Sequence, residues 1–227
     1  MEEKAAARIR SFVIRAGRSS EAQKRSYETL FPLYRIVPEQ KLLNFSQIFG
    51  NENPVVIEIG FGMGTATAHI AEQNPAINYV GIDVHRPGIG KLAWEIDRRK
   101  LTNLRIIEGD AAEILANNSA DASISAFHIF FPDPWQKKRH HKRRLLTRPF
   151  TNLLARKLLP GAYLYFVSDW ADYAEWALAE LSATAGLENK YEAFAPHQEW
   201  RAETEFERKG LKKNHEVQEL MFTRSVT

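Results

Sequence analysis

From residue 54 onward, short apolar runs alternate with segments of helical spacing. Val55-Val56-Ile57-Glu58-Ile59-Gly60 reads as a strand buried on both faces, and Thr65 to Gln73 as the helix that follows it. Tyr79 to Asp83 is a second strand, followed by a helix from about Ile89 to Lys100, and Leu104 to Glu108 is a third strand. Asp110, with Glu113 three residues on, has the form of an N-cap opening a short helix. Ala122 to Phe130 is the fourth strand, Thr147 opens a helix running to Leu158, and Ala162 to Val167 is the fifth strand. Trp170, Tyr173, Ala174, Ala177, Leu178 and Leu181 mark one helical face that stops at Gly186. Glu188 to Phe194 and Val217 to Phe222 are expected as the last strands. Such alternation predicts an α/β fold, a doubly wound and mostly parallel sheet with a C-terminal antiparallel strand. Residues 1–35 lack this periodicity and are expected to be a basic, flexible arm, with residues 36–227 as one domain.

Composition narrows the classes. A chain of 227 residues that is 44% hydrophobic and 26% charged suits one globular domain with a full core. No apolar run approaches the roughly 20 residues needed to span a bilayer, and the start, Met-Glu-Glu-Lys-Ala-Ala-Ala-Arg, is too polar for a secretory signal. With no Cys and with His residues that lack ligand spacing, no structural metal is expected, and a cytoplasmic location fits. The net charge of +3 is small, but its distribution is uneven. Residues 1–35 carry eight Lys or Arg against four Glu, and residues 134–168 carry nine with no acid. Two separated basic patches on a near-neutral body suit an anionic polymer.

Two stretches carry candidate chemistry. Glu58-Ile-Gly60-Phe-Gly62-Met-Gly64 lies where the first strand turns into the first helix, where glycines let backbone N–H groups approach a ligand closely. An acid before the loop would repel a pyrophosphate but attract an ammonium or a sulfonium. Asp83, about 20 residues on, is placed to bind both hydroxyls of a ribose, and Asp110 to meet an adenine edge. A nucleoside with a cationic amino-acid tail describes S-adenosylmethionine, although glycine spacing alone leaves a dinucleotide binder open. The second stretch is Phe130-Phe-Pro-Asp-Pro-Trp135 with the run Lys137, Lys138, Arg139, His140, His141, Lys142, Arg143, Arg144 directly after it. Two prolines hold Asp133 on a stiff turn. Either half alone is consistent with an ordinary turn or a solvated face, and the pair together suggests chemistry performed on a nucleic acid. A methyltransferase for another acceptor, or an RNA-binding module with an idle donor loop, are the competing readings.

These residues together resemble the bacterial tRNA (guanine-N7)-methyltransferase family over nearly the whole chain. Besides the two stretches, Ile9-Arg10-Ser11-Phe12, Gly81-Ile82-Asp83-Val84-His85, Asn103-Leu104-Arg105, Asp169-Trp170 and Thr204-Glu-Phe-Glu207 carry the likeness. The resemblance implies a Rossmann-like class I methyltransferase fold that methylates guanine 46 in the tRNA variable loop. It implies donor contacts from Glu58, Gly60, Gly62, Gly64, Asp83, Asp110 and Asp133, with Asp133 also the catalytic acid. It further implies substrate contacts from Lys137, Asp169, Thr204, Glu205, Phe206 and Glu207, and an RNA-interacting run from Arg139 through His140, His141, Lys142 and Arg143 to Arg144. S-adenosylmethionine is the expected donor, with no metal. tRNA is the expected partner of a monomer or homodimer that requires no membrane and no second protein. The family often has Glu where Asp83 stands, a change that shortens the ribose clamp by one methylene and keeps its chemistry.

Overall fold

The computed structural model describes residues 11–12, 19–201, 207 and 216–226. Helices α1 (Glu21–Thr29), α2 (Phe31–Tyr34) and α3 (Phe45–Phe49) precede β1 (Val55–Ile59). Then follow α4 (Thr65–Gln73), β2 (Asn78–Asp83), α5 (Arg86–Arg99), β3 (Leu104–Glu108), α6 (Ala111–Asn118) and β4 (Ile124–Phe130). A 3-10 helix (Lys138–Arg143), α7 (Arg148–Lys157), β5 (Leu158–Ser168), α8 (Ala171–Ser182), β6 (Leu187–Asn189) and β7 (Gln218–Arg224) complete the described elements. The strands form one sheet in the order β3-β2-β1-β4-β5-β7-β6. The first five are parallel, and β7 runs antiparallel to both β5 and β6.

The buried faces explain the architecture. All five residues of β1 are buried, as a parallel strand covered on both sides requires. On one face Ala68 and Ile70 of α4 and Ile89, Leu92 and Ile96 of α5 pack against Val56, Ala126 and Tyr165. On the other, Leu115 of α6, Leu154 of α7 and Tyr173 and Ala177 of α8 pack against Ile57, Phe127 and Phe166. The helices change face between β1 and β4, so the loops leaving those two strands diverge. A crevice at the carboxyl ends of the sheet is the result.

Three expectations from the sequence need correction. Residues 20–35 are not an irregular arm. Ser20 caps α1, its side chain accepting from Gln23 N while the Gln23 side chain accepts from Ser20 N, and Ile36 N donates to Ile106 O at 2.8 Å at the sheet edge. Helix α1 lies so close on α5 that a Cβ on Gly90 would come within 2.3 Å of Gln23 O, so only glycine allows that approach. The rest of the expected arm, residues 1–10 and 13–18, lies outside the described residues. Strand β6 stops at Asn189, because Asn189 turns the chain by accepting from Tyr191 N and donating to Ala193 O. Strand β5 starts four residues earlier than its apolar core at Ala162, its first residue Leu158 pairing with Ile124 across a register shift.

Candidate functional site

The loop after β1 is shaped by three left-handed glycines, Gly60 at φ 77°, Gly62 at φ 60° and Gly64 at φ 69°. Residues with a Cβ rarely adopt this conformation. Asp83, the last residue of β2, holds the loop. Its Oδ2 accepts from Gly62 N at 2.9 Å, and its Oδ1 accepts from Val84 N at 2.7 Å and His85 N at 2.9 Å. Burial pushes its carboxyl up, and the three backbone N–H groups oppose that. A carboxylate offers about four acceptor positions, so three are taken and one on Oδ2 remains.

Glu58, four residues along β1, is 4% exposed and lies beneath the loop. Among the described residues no cation pairs with it. Burial raises its carboxyl to about 8, Asp83's charge adds to this, and the nearby Thr67 hydroxyl opposes it. Asp110 sits two residues past the end of β3 and caps α6, its Oδ1 accepting from Ala112 N at 2.9 Å. The residue that ends β3 is Glu108, in register opposite Asp83. It accepts from Tyr27 Oη at 2.6 Å and Arg86 Nε at 2.8 Å. The sequence reading took Glu108 as a strand residue only. Its place one register step from Asp83 was the available signal.

After β4 the chain makes the Pro132-Asp133-Pro134 turn. The flanking residues Phe131 and Trp135 are non-glycines at φ 48° and 49°, a conformation costing about 1–2 kcal/mol each. The neighbours hold it there. Phe131 N donates to Val167 O at 2.8 Å, Arg144 Nε donates to Pro134 O at 3.1 Å, and Trp135 Nε1 donates to Ser11 O at 3.1 Å. Asp133 is exposed at the apex.

The basic run is a 3-10 helix, and this divides it. With three residues per turn, side chains at i and i+3 share a face. Lys137, Lys138, Arg139 and Lys142 are exposed, and Arg143 lies half-buried over the Trp135 ring at 5.2 Å. His140 also meets Trp135, edge to face, and burial with the neighbouring cations Arg139 and Arg143 lowers its pKa. His141 and Arg144, three apart, turn inward. Arg144 is 2% exposed and pairs with Asp172 and with His141 Nε2 at 3.2 Å. Arg144, expected as an RNA contact, is thus buried with its donors engaged, unlike the exposed cations of the run.

Asp169 follows β5, two residues after Val167, so the carboxyl end of β5 lies beside the turn. Glu207, expected as a substrate contact, is buried and accepts from Arg201 with both oxygens, at 2.5 and 2.7 Å. Thr204, Glu205 and Phe206 lie outside the described residues. Trp200 packs against the sheet, stacked on His128 with centroids 4.8 Å apart.

These groups meet at one cavity of about 850 Å³ over the carboxyl ends of the sheet. Its walls bring together Gly60, Gly62, Asp83, Asp110, Glu108 and Asp133. Gly64, Glu58, Asp169 and the basic run do not line it. The residues fit a nucleoside with a cationic tail. The cavity is of ligand size, a Cβ at Gly60 would meet no protein atom within 4 Å, and Glu58 is a buried acid that pairs with no cation among the described residues.

The sheet order and this cavity define a class I methyltransferase fold. Among solved structures, the 16S rRNA methyltransferase KamB aligns with a TM-score of 0.60 at 18% identity, covering 84% of this chain and 99% of that one. The 16S rRNA (adenine(1408)-N(1))-methyltransferase from Catenulisporales acidiphilia aligns at 0.56 and 14%, covering 84% and 99%. Likeness at this identity concerns the fold alone. A family model described as "Putative methyltransferase" matches residues 52–220. A tRNA (guanine-N(7)-)-methyltransferase of Methylobacillus flagellatus is 46% identical over 224 residues, 98% of this chain and 94% of its own length. One of Thiobacillus denitrificans is 45% identical over 217 residues, 96% of each chain. The chain belongs to the tRNA (guanine-N(7)-)-methyltransferase family.

Proposed function

We propose that this protein methylates N7 of a guanine in tRNA, at position 46 of the variable loop, using S-adenosylmethionine. The observation that carries the reading is the placement of Asp133. It stands on the wall of a nucleoside-sized cavity, on a turn whose continuation presents Lys137, Lys138, Arg139 and Lys142 outward. One loop thus joins a donor site to a surface for a polyanion.

The donor supplies a methyl group activated on a sulfonium. On the protein's side, Asp83 and the glycine loop orient the nucleoside, and Glu58, protonated at neutral pH in the protein alone, gives up its proton to become the counter-ion when a cationic end lies beside it. Guanine N7 carries a lone pair and no proton, so the site needs no general base at the bond-forming atom. Asp133 holds the purine and offsets the positive charge it acquires, which makes orientation and electrostatics the main contributions. N7 lies in the deep major groove of paired RNA, so the target base is presented unstacked. Among the described residues no helix is long and apolar enough to cross a membrane, and a tRNA substrate fits a cytoplasmic location.

Incubation with methyl-labelled donor and unmodified tRNA, followed by nucleoside analysis, tests this. The expected product is 7-methylguanosine, lost when guanine 46 is replaced. Label in another nucleoside, or donor binding without transfer, contradicts it.

A further inference from the structure

We propose that Arg144 is a positioning residue that holds Asp133 in place through the carbonyl of Pro134, and that it takes no part in binding RNA. This rests on Asp133 being the catalytic acid.

Burying a guanidinium costs several kcal/mol unless its donors are matched. Here the matching is extensive. Nε donates to Pro134 O at 3.1 Å. The Asp172 carboxylate accepts from the terminal nitrogen that also meets His141 Nε2, and Asp172 O lies at 3.5 Å from the other. The plane of the group lies near two rings, 5.0 Å from the Tyr173 centroid and 5.2 Å from that of Trp176. Tyr173 then fixes the chain directly after Arg144, its hydroxyl accepting from Leu145 N at 3.0 Å and Leu146 N at 3.3 Å. Burial raises the pKa of that hydroxyl, its two backbone hydrogen bonds and the Arg144 charge oppose this, and the charge of Asp133 adds a little to the rise.

The turn has reason to need such a clasp. Left-handed Phe131 and Trp135 bracket Pro132-Asp133-Pro134, and strained backbone of this kind persists only when its surroundings over-determine it. Pro134 is the residue next to Asp133, and its carbonyl is gripped from inside the fold. Loss of the grip releases the turn, and a misplacement of about 1 Å can cost on the order of 10² in rate. Lysine keeps the charge of arginine but has neither the planar face nor the fork of donors. A phosphate contact would tolerate Arg144→Lys, and a clasp would not.

The test is single-turnover methylation at saturating donor and tRNA, with tRNA affinity measured across salt, for Arg144→Lys, Asp172→Asn, Asp133→Asn and Asp133→Asn/Arg144→Lys. Arg144→Lys should bind tRNA within about threefold of wild type, with an unchanged salt slope, yet react about 10–100-fold more slowly. Asp172 has a side chain that is 63% exposed, and asparagine there keeps one acceptor oxygen for Arg144 while removing the charge. Asp172→Asn should be slower by about 5–10-fold with tRNA binding no weaker, and it carries the test alone if Arg144→Lys does not fold. Because Arg144 acts through Asp133, the double variant should be no more than about twofold slower than Asp133→Asn. Wild-type rates in Arg144→Lys and Asp172→Asn, a loss confined to tRNA affinity, or multiplying losses in the double variant would overturn the proposal. Asp133→Asn at the wild-type rate would instead remove the catalytic reading on which it rests.

Discussion

Asp83 Oδ2 accepts from Gly62 N at 2.9 Å, so the residue ending one strand shapes the ligand loop of its neighbour. Removing this carboxylate has two consequences. Three backbone N–H groups lose their acceptor, which costs stability of about 1–3 kcal/mol, and the loop loses its shape for the donor. Asp83→Ala should therefore lower the melting temperature and weaken S-adenosylhomocysteine binding by at least about tenfold in titration calorimetry. Unchanged affinity would separate Asp83 from the donor site.

Glu58 gives a pH signature. Its carboxyl is raised from its ordinary 4.5 to about 8 in the fold, so between those values the folded state holds a proton that the unfolded chain has lost. Stability from this group is fully present below pH 4.5, and is lost as pH rises through about 8. Glu58→Gln carries no such dependence. It should melt above wild type at pH 8, by an amount on the order of a few kcal/mol, with the gap closing toward pH 5. The same variant should bind the donor more weakly. Parallel melting curves for the two proteins across this range would disprove the buried, unpaired state of Glu58.

The split of the basic run predicts which cations set the salt dependence of tRNA binding. Each phosphate neutralised releases counterions, so the logarithm of affinity falls with that of salt. Neutralising Arg139 and Lys142, both exposed, should flatten that slope by roughly one unit per lost contact. A wild-type slope in the double variant would make the run a solvated face.

The sheet was legible in the sequence because its parallel strands are buried on both faces and bounded by turns. Leu104 to Glu108 could be read to the residue, and Val55 to Gly60 overran the strand by one. The acids at strand ends were legible by position, but not by partner. Asp110 could be read as the cap of α6, which it is, but nothing in the order of residues says that Glu108 takes the Tyr27 hydroxyl 81 residues away. The basic run misled at Arg144, since charge density suggests solvent and only the three-residue turn of the 3-10 helix brings that side chain inward. Helix α1 was missed because its packing on α5 depends on a close approach at Gly90 that periodicity does not record.

The central claim is that Asp133 acts by its charge at the purine. Asp133→Asn keeps the size and one acceptor oxygen of the side chain. It should leave the fold and donor binding nearly unchanged while the chemical step slows by about 10²–10³, on the order of 3–4 kcal/mol. Single-turnover methylation of tRNA at saturating donor, comparing wild type with Asp133→Asn, measures this step directly. A rate for the Asn variant about 10² or more below wild type is the expected result, and a rate within about threefold of wild type would contradict it.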